Sequence, residues 1–380
     1  MIFNEWNKVR LEEVLDLKNG KSRPKEEGVI PVYGGNGILG FTNRHNVEGE
    51  TLIIGRVGAY CGATYFETRP CFISDNALYA KSKQNNSGLF LYYLLKDINL
   101  NRFAGGSSHP LLTQGRLNEL EISIPSEEVQ NKIATILSSI DEKIKLNKQT
   151  NANLEDLVRT LFQELCVTKS EELEDGWQLL KLSDFIDLKN GYAFKGMDFI
   201  DEGVPVIKIK NVKAGKVILH QLSYVSREIA DKAQRFRIKQ NDLLITMSGN
   251  RIDGTPETWV GKVGIFHRDG EYLLNQRVSI LNIIDEGKMS KYFLSQLLSS
   301  EEYQYYFISN ATSSGGQANI SPDLIYNTEI VVPPIEQLQQ FNKLAKDIYN
   351  KIFANELEVE TLTNLRDNLL PKLMKGEIKV

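Results

Sequence analysis

The chain has little cysteine. Cys61, Cys71 and Cys166 are three among 380 residues, and no two of them form a Cys-x-x-Cys pair. An odd count at these spacings excludes a disulfide framework and a zinc knuckle, and leaves buried or unpaired thiols in a reducing compartment. Histidine is also sparse. His45, His109, His220 and His267 are scattered, and no His-Glu-x-x-His occurs, so no metal is expected. No apolar run approaches the roughly 20 residues that span a bilayer, which excludes a membrane span. Met1–Arg10 holds no apolar signal segment, so a cytoplasmic location is expected. Charge of one sign is missing too: 45 Lys and Arg stand against 49 Asp and Glu, a net charge of −4. Strong nucleic-acid binders are usually basic, so the balance argues weakly against that class. The acidity is local, however. Residues 126–176 carry 6 basic and 11 acidic side chains, whereas residues 1–125 carry 14 and 13. Each large segment can therefore hold a basic face.

Catalytic motifs are absent as well. The Asn/Asp-Pro-Pro-aromatic tetrapeptide of amino-methyltransferases is missing. Val332-Pro333-Pro334-Ile335 lacks both the amide or carboxylate before the prolines and the stacking ring after them. No Gly-x-Gly cofactor loop follows a strand, and Gly34-Gly35-Asn36-Gly37 reads as a turn. Glu286-Gly287-Lys288 imitates the tail of a nuclease motif, but its setting is a polar turn. No phosphate-binding Gly-x-x-x-x-Gly-Lys-Ser/Thr is present. No catalytic residue is assigned, and the chain is read as non-enzymatic with no cofactor of its own.

What is present is a repeat of about half the chain. Leu15-Asp16-Leu17-Lys18-Asn19-Gly20 returns as Ile186-Asp187-Leu188-Lys189-Asn190-Gly191, each preceded by a tryptophan, Trp6 or Trp177. Val29-Ile30-Pro31-Val32 is echoed by Gly203-Val204-Pro205-Val206, and Thr51-Leu52-Ile53-Ile54 by Asp242-Leu243-Leu244-Ile245. From Leu112-Thr113, which matches Ile320-Ser321, the offset locks at 208; Ile122-Ser123-Ile124-Pro125 matches Ile330-Val331-Val332-Pro333. Each copy opens with about 125 residues of short apolar runs between turn residues, which reads as a mostly β domain. A helix is expected at Gly88–Lys96, with its partner at Ser290–Ser300. Each copy then closes with a long helix whose start is rich in proline and carboxylates.

In the long helices, apolar or bridging residues alternate at spacings of 3 and 4, a heptad seam. In the first helix the seam runs Ile133, Leu137, Ile140, Ile144, Asn147, Asn151, Leu154, Val158, Leu161, Leu165. In the second it runs Phe341, Ala345, Ile348, Ile352, Asn355, Val359, Leu362, Arg366, Leu369, Leu373. Asn147 and Asn355 occupy equivalent places, and a seam Asn tends to fix register at a cost in stability. Two matched seams within one chain point to antiparallel intramolecular pairing; a homodimeric coiled coil is the alternative. The expected fold is α+β. Two mostly β domains, residues 1–125 and 169–333, are joined by two long antiparallel helices, residues 126–168 and 334–380, in a pseudo-two-fold internal repeat.

The stretch Ile122-Ser123-Ile124-Pro125-Ser126-Glu127-Glu128-Val129-Gln130-Asn131-Lys132-Ile133-Ala134 resembles the central region of the specificity (S, HsdS-type) subunits of type I restriction-modification systems. So do Ile136 to Ile144, the Trp-x-x-x-x-Leu openings at Trp6 and Trp177, and Asn368 to Gly376. The resemblance covers the whole chain, and departs from the family phrase at Leu338-Gln339-Gln340. It implies two target-recognition domains, each reading one half of a split DNA site, on a helical spacer. It also implies double-stranded DNA and two adenine-methylase subunits as partners, S-adenosylmethionine residing on those subunits, and a nuclease-translocase subunit as an optional addition. A protein-interaction scaffold that binds no DNA is the competing reading; a self-contained enzyme is disfavoured by the missing motifs.

If the domains read DNA, specificity needs side chains that reach base edges, while phosphate contacts position the protein. In the first domain the candidates are Lys18, Lys21, Arg23, Arg56, Tyr60, Asn76 and the loop residues Ser107, Ser108 and His109. In the second they are Lys189, Tyr192, Lys195, Lys208, Lys210, Asn211, Ser248, Asn250, Arg251, Asn275, Gln276, Arg277, Gln317 and Asn319. For helix pairing they are Ile133, Ile140, Ile144, Asn147, Leu154, Leu161, Ile348, Ile352, Asn355, Leu362 and Leu369.

Overall fold

A computed structural model describes residues 6–106, 110–168, 173–251, 255, 258–314 and 316–380, with Ser314 described by its backbone alone. The candidates Ser107, Ser108 and His109 lie outside the described residues. The chain divides into two compact units: unit 1 comprises Met1–Lys148 and Glu356–Val380, unit 2 Gln149–Asn355. Among the described residues no helix is long and apolar enough to cross a membrane.

Unit 1 is built on a four-stranded antiparallel sheet in the order Leu15–Asn19, Ala77–Ser82, Thr51–Gly55, Thr64–Glu67. The strand Thr51–Gly55 is buried throughout because both of its faces are covered. Leu52 and Ile54 pack into one core with the helix Gly88–Ile98, while Ile53 faces a second core with Tyr33, Cys71 and Ile73. That alternation is the two-residue period of a strand, and each of these aliphatic side chains contributes about 1.5–3 kcal/mol on full burial. Ser87 caps the helix Gly88–Ile98, its hydroxyl accepting from the Phe90 N–H, and Asn99 ends it in the left-handed region at φ 57°. A three-stranded sheet places Ile30–Gly34 between Gly37–Thr42 and, in parallel, Phe72–Ile73. Asn7–Arg10 pairs antiparallel with Glu121–Ile124, so the first strand closes on the last one before the long helix.

Unit 2 repeats this plan and adds to it. Its main sheet begins in the same way, Ile186–Asn190, Val278–Ile283, Leu243–Thr246, Val263–Ile265, and continues with Gly215–Val217 and Val212–Lys213. The ladders match residue for residue. Leu17 sits opposite Ala80 and Leu188 opposite Leu281; Ile54 sits opposite Leu78 and Ile245 opposite Ser279. The echo of Thr51–Ile54 in Asp242–Ile245 is thus an equivalence of register. Gln178–Lys181 closes on Glu329–Val332 as its counterpart does in unit 1. The smaller sheet of unit 1 has its counterpart in a five-stranded one, where Val204–Ile207 runs parallel to Tyr272–Leu274 as Ile30–Gly34 does to Phe72–Ile73, and a three-stranded sheet in the order Ser248–Gly249, Gln317–Asn319, Thr312–Ser314 is added.

The central helix is Glu127–Cys166 and the distal helix Ile335–Met374. Each unit contains a stretch of both. In unit 1, Arg366 Nη1 donates to Asp141 Oδ1 at 2.8 Å and Asn147 Nδ2 to Glu358 Oε2 at 2.8 Å. In unit 2, Asn355 Nδ2 donates to Asn151 Oδ1 at 2.7 Å and Asn151 Nδ2 to the Ile352 carbonyl at 3.0 Å. In unit 1 the partner falls from 366 to 358 as the central helix runs from 141 to 147, and in unit 2 it falls from 355 to 341 between Asn151 and Phe162, so within each unit the stretches run antiparallel. No seam residue is exposed, but burial is uneven. Ile133, Ile144, Asn147, Ile352 and Asn355 are buried, while Ile140, Leu154, Leu161, Ile348, Leu362 and Leu369 are only half-buried. Near the end of the central helix, Phe162 and Cys166 are buried in place of Leu161 and Leu165. A straight α-helix drifts by about 20° per heptad, and here a third element also draws the buried stripe round. Phe162 packs on Phe293 of the helix Lys291–Leu298 at 5.7 Å as well as on Phe341 at 5.8 Å.

Candidate nucleic-acid interface

In unit 1 the main sheet has one edge from which all the candidate loops emerge. Asn19 and Gly55 end their strands there, and Thr64 and Ala77 begin theirs. Gly20 lets the first strand leave close to its neighbour, since a Cβ at that position would lie 1.9 Å from the Ser74 carbonyl oxygen. Lys21 then bridges Ser74, donating its N–H to the Ile73 carbonyl at 3.0 Å. Arg56 donates its N–H to the Asn76 carbonyl at 3.0 Å, and Gly58 donates to the Pro110 carbonyl at 3.1 Å. Lys21, Arg56, Tyr60, Asn76 and the base of the 105–111 loop are therefore gathered at one edge. Tyr60 lines a shallow cleft with Lys96, Asn99 and Asn101. Burial holds the Lys96 ammonium below its ordinary pKa.

Unit 2 has the same edge, carrying Gly191–Lys195, Met247–Arg251, Thr258–Lys262 and Asn275–Arg277. Tyr192 bridges Asn275 as Lys21 bridges Ser74. Lys210, Ser248, Asn250 and Gln317 converge on a cleft of about 260 Å³. Lys213, Thr258, Trp259 and Lys262 complete its wall. The buried Lys262 ammonium lies 5.4 Å from the centre of the Trp259 ring. Three lysines, an indole and two amides in one cleft offer charge for phosphate, a face for stacking and paired donors and acceptors for base edges.

Residues 4–156 and 174–361 each match the type I restriction modification DNA specificity domain. The chain belongs to that family. The type I restriction enzyme MjaVIII specificity subunit of Methanocaldococcus jannaschii is 25% identical over 404 residues, covering 99% of this chain and 93% of that one. The MjaIX specificity subunit of the same organism is 28% identical over 323 residues, covering 77% of this chain and 69% of that one. The crystal structure of the type I restriction-modification system S subunit from M. genitalium has a TM-score of 0.72 and 18% identity, covering 97% of this chain and 96% of that one, and so shares the fold. Two DNA-specificity matches in one chain do not favour the scaffold reading.

Within this specificity-family framework, several candidates prove to serve their own unit. Asn211 is buried; it accepts from the Lys208 N–H and donates to the Ile218 carbonyl at 3.1 Å, closing a turn. Ser248 is buried and donates to Asn319 Oδ1 at 2.6 Å, joining two strands. Asn275 is buried, its side-chain oxygen facing the Arg277 N–H. The Tyr192 ring packs between Phe194 and Phe236. Asn211, Ser248 and Asn275 thus have their polar side chains buried and bonded within the fold, whereas Tyr192 is half-buried with its ring packed on two others. Lys18 is ion-paired with Asp16 at 2.7 Å, which holds its pKa up. Lys208 lies over the Phe199 ring at 3.9 Å, and burial with the nearby Lys210 pulls its pKa down. Arg23 donates to the Leu39 carbonyl, and Arg251 to the Ala311 carbonyl. Lys189, Lys195, Gln276, Arg277 and Asn250 are exposed, with Asn250 also donating to Thr258 Oγ1 at 3.0 Å. Sequence reasoning missed Lys213, Thr258, Trp259, Lys262 and Lys96. The run Trp259-Val260-Gly261-Lys262, an aromatic beside a glycine and a cation, was the available signal. Among the described residues no group of His, Cys, Asp and Glu could hold a metal ion.

Proposed function

We propose that the chain is the DNA-reading subunit of a type I restriction-modification complex, each unit reading one half of a bipartite, asymmetric site in double-stranded DNA. One observation carries this reading: the two copies keep a common scaffold and differ in the loops that begin at one sheet edge. Ile54 corresponds to Ile245 and Thr64 to Val263, so the offset rises from 191 to 199 across the Arg56 loop and its counterpart. Val32 corresponds to Val206 and Leu52 to Leu243, so it rises from 174 to 191 across the segment before it. Selection for two different half-sites on one fold would vary those loops and spare the ladder.

In this reading the two long helices pair antiparallel as a coiled coil along their length and relate the copies by a pseudo-two-fold axis. Forty residues of helix make a rod of about 60 Å, long enough to hold two readers on half-sites about one DNA turn, roughly 34 Å, apart. The helices also dock two adenine-methylase subunits, which hold S-adenosylmethionine and methylate each strand; a nuclease-translocase subunit can join them. The chain itself performs no chemistry. The test is to exchange residues 1–125 for another family member's domain and map methylated adenines in cells that also express the partner methylase. One half-site should change and the other persist; alteration of both would end the modular reading.

A further inference from the structure

The turns Ser74–Ala77 and Asn275–Val278 occupy the same place in the two units. Each is closed by one bond, Ala77 N–H to the Ser74 carbonyl at 3.0 Å and Val278 N–H to the Asn275 carbonyl at 2.9 Å. The third residue of each is Asn76 in unit 1 and Arg277 in unit 2. Its carbonyl accepts from the residue just beyond the neighbouring strand: Arg56 N–H at 3.0 Å in unit 1, Met247 N–H at 2.9 Å in unit 2. The carbonyls of those residues accept in turn from Leu112 N–H at 2.9 Å and Ile320 N–H at 3.0 Å. The backbone of each position is therefore pinned to a neighbouring segment that is itself held by a second, the preorganised platform that a reading side chain needs.

The side chains on these platforms are exposed, and neither Asn76 nor Arg277 makes a side-chain hydrogen bond or ion pair with a described residue. A turn preference alone would account for Asn76, but not for Arg277. The two residue types carry different base-edge patterns. A carboxamide matches the N6 donor and N7 acceptor of adenine, and a guanidinium fork matches the O6 and N7 acceptors of guanine.

We propose that this one scaffold position determines specificity in both copies, Asn76 reading an adenine in one half-site and Arg277 a guanine in the other. The proposal rests on the DNA-reading function above and adds to it which residue reads which base.

The test uses the chain in complex with its methylase partner and reads the methylated sites genome-wide. Asn76→Arg should turn one adenine of one half-site into guanine and leave the other half-site intact, and Arg277→Asn should do the reciprocal. Asn76→Ala and Arg277→Ala should each make their position degenerate, with discrimination there falling roughly ten- to hundred-fold. Wild-type site preference in all four variants overturns the proposal. So does complete loss of methylation in alanine variants whose circular dichroism and melting match the wild type, since removing one reading group relaxes a position without abolishing the site. If the wild-type complex yields no bipartite motif, the broader reading fails first, and the two failures are distinguishable.

Discussion

Arg366 is the one charged residue in the two seams, and with its partner Asp141 it makes the most informative stability test of the helical part of unit 1. The two side chains are 18% and 29% exposed, and are joined at 2.8 Å. The second carboxylate oxygen accepts from Tyr93 Oη at 2.8 Å. The desolvated carboxylate thus has two donors, one charged. Arg366→Leu removes the charged one and leaves Asp141 with the phenol alone, which should cost about 2 kcal/mol, within the range for hydrogen bonds to charged groups. Asp141→Leu strands the guanidinium, which keeps Asp367, and should cost about 1–2 kcal/mol. Replacing both with leucine strands neither charge and leaves only the Tyr93 hydroxyl without its acceptor, so the double variant should lie within about 1 kcal/mol of the wild type. The resulting coupling of about 2 kcal/mol is measurable in a double-mutant cycle. The readout is urea unfolding followed by Trp6 fluorescence in a Trp177→Phe, Trp259→Phe background. Trp6 packs beside Phe90 within unit 1, so it reports that unit alone. Single-variant losses below about 0.5 kcal/mol, or a double variant as unstable as the sum of the singles, would refute the claim that these charges are desolvated and mutually dependent.

Phe162→Ala should destabilise unit 2 by about 3–5 kcal/mol, since a buried ring leaves a cavity and two aromatic contacts are lost; Leu157→Ala, at an exposed position, should cost far less in the same calorimetric scan. Burial would raise the Glu67 carboxyl, but hydrogen bonds from Arg69, Tyr33 and the Thr68 N–H outweigh it and hold its pKa at about 2, against an ordinary 4.5. A depressed folded-state pKa means stability that is present above about pH 4.5 and is lost as pH falls toward 2, about 3 kcal/mol in all. Glu67→Gln should flatten that acid limb of a pH–stability curve, and an unchanged limb would contradict the assignment. Lys210→Ala, at the mouth of the unit 2 cleft, should weaken DNA binding equally for specific and random duplexes and lower the slope of log K against log salt by about one; a change in sequence preference instead would mean that Lys210 reads a base.

The repeat and the long helices were legible in the sequence because each rests on a recurring pattern. A strand buried on two faces, such as Thr51–Gly55, carries a run of consecutive apolar residues, here Leu52, Ile53 and Ile54, and a helix that hides one stripe must repeat at 3 and 4. The echo of Leu15–Gly20 in Ile186–Gly191 marks a strand whose exit crowds its neighbour's backbone, where only glycine fits. The shift of burial from Leu161 and Leu165 to Phe162 and Cys166 was not legible, because it depends on Phe293, more than 120 residues away in the chain. For the same reason, nothing near Arg366 in sequence signals that Asp141 answers it.

The interface divides along the same line. Sequence alone determined which residue types were available to touch DNA and that two copies of the reader exist, because composition and repetition are properties of the string. Only the tertiary structure decided which of them are free to do so. Asn211, Asn275 and Asn76 are the same amino acid in similar polar turns; the first two are consumed by their own folds, while the third stands exposed on a pinned backbone. A side chain's freedom to bind is set by which distant groups already satisfy it, and that is decided when the chain closes on itself.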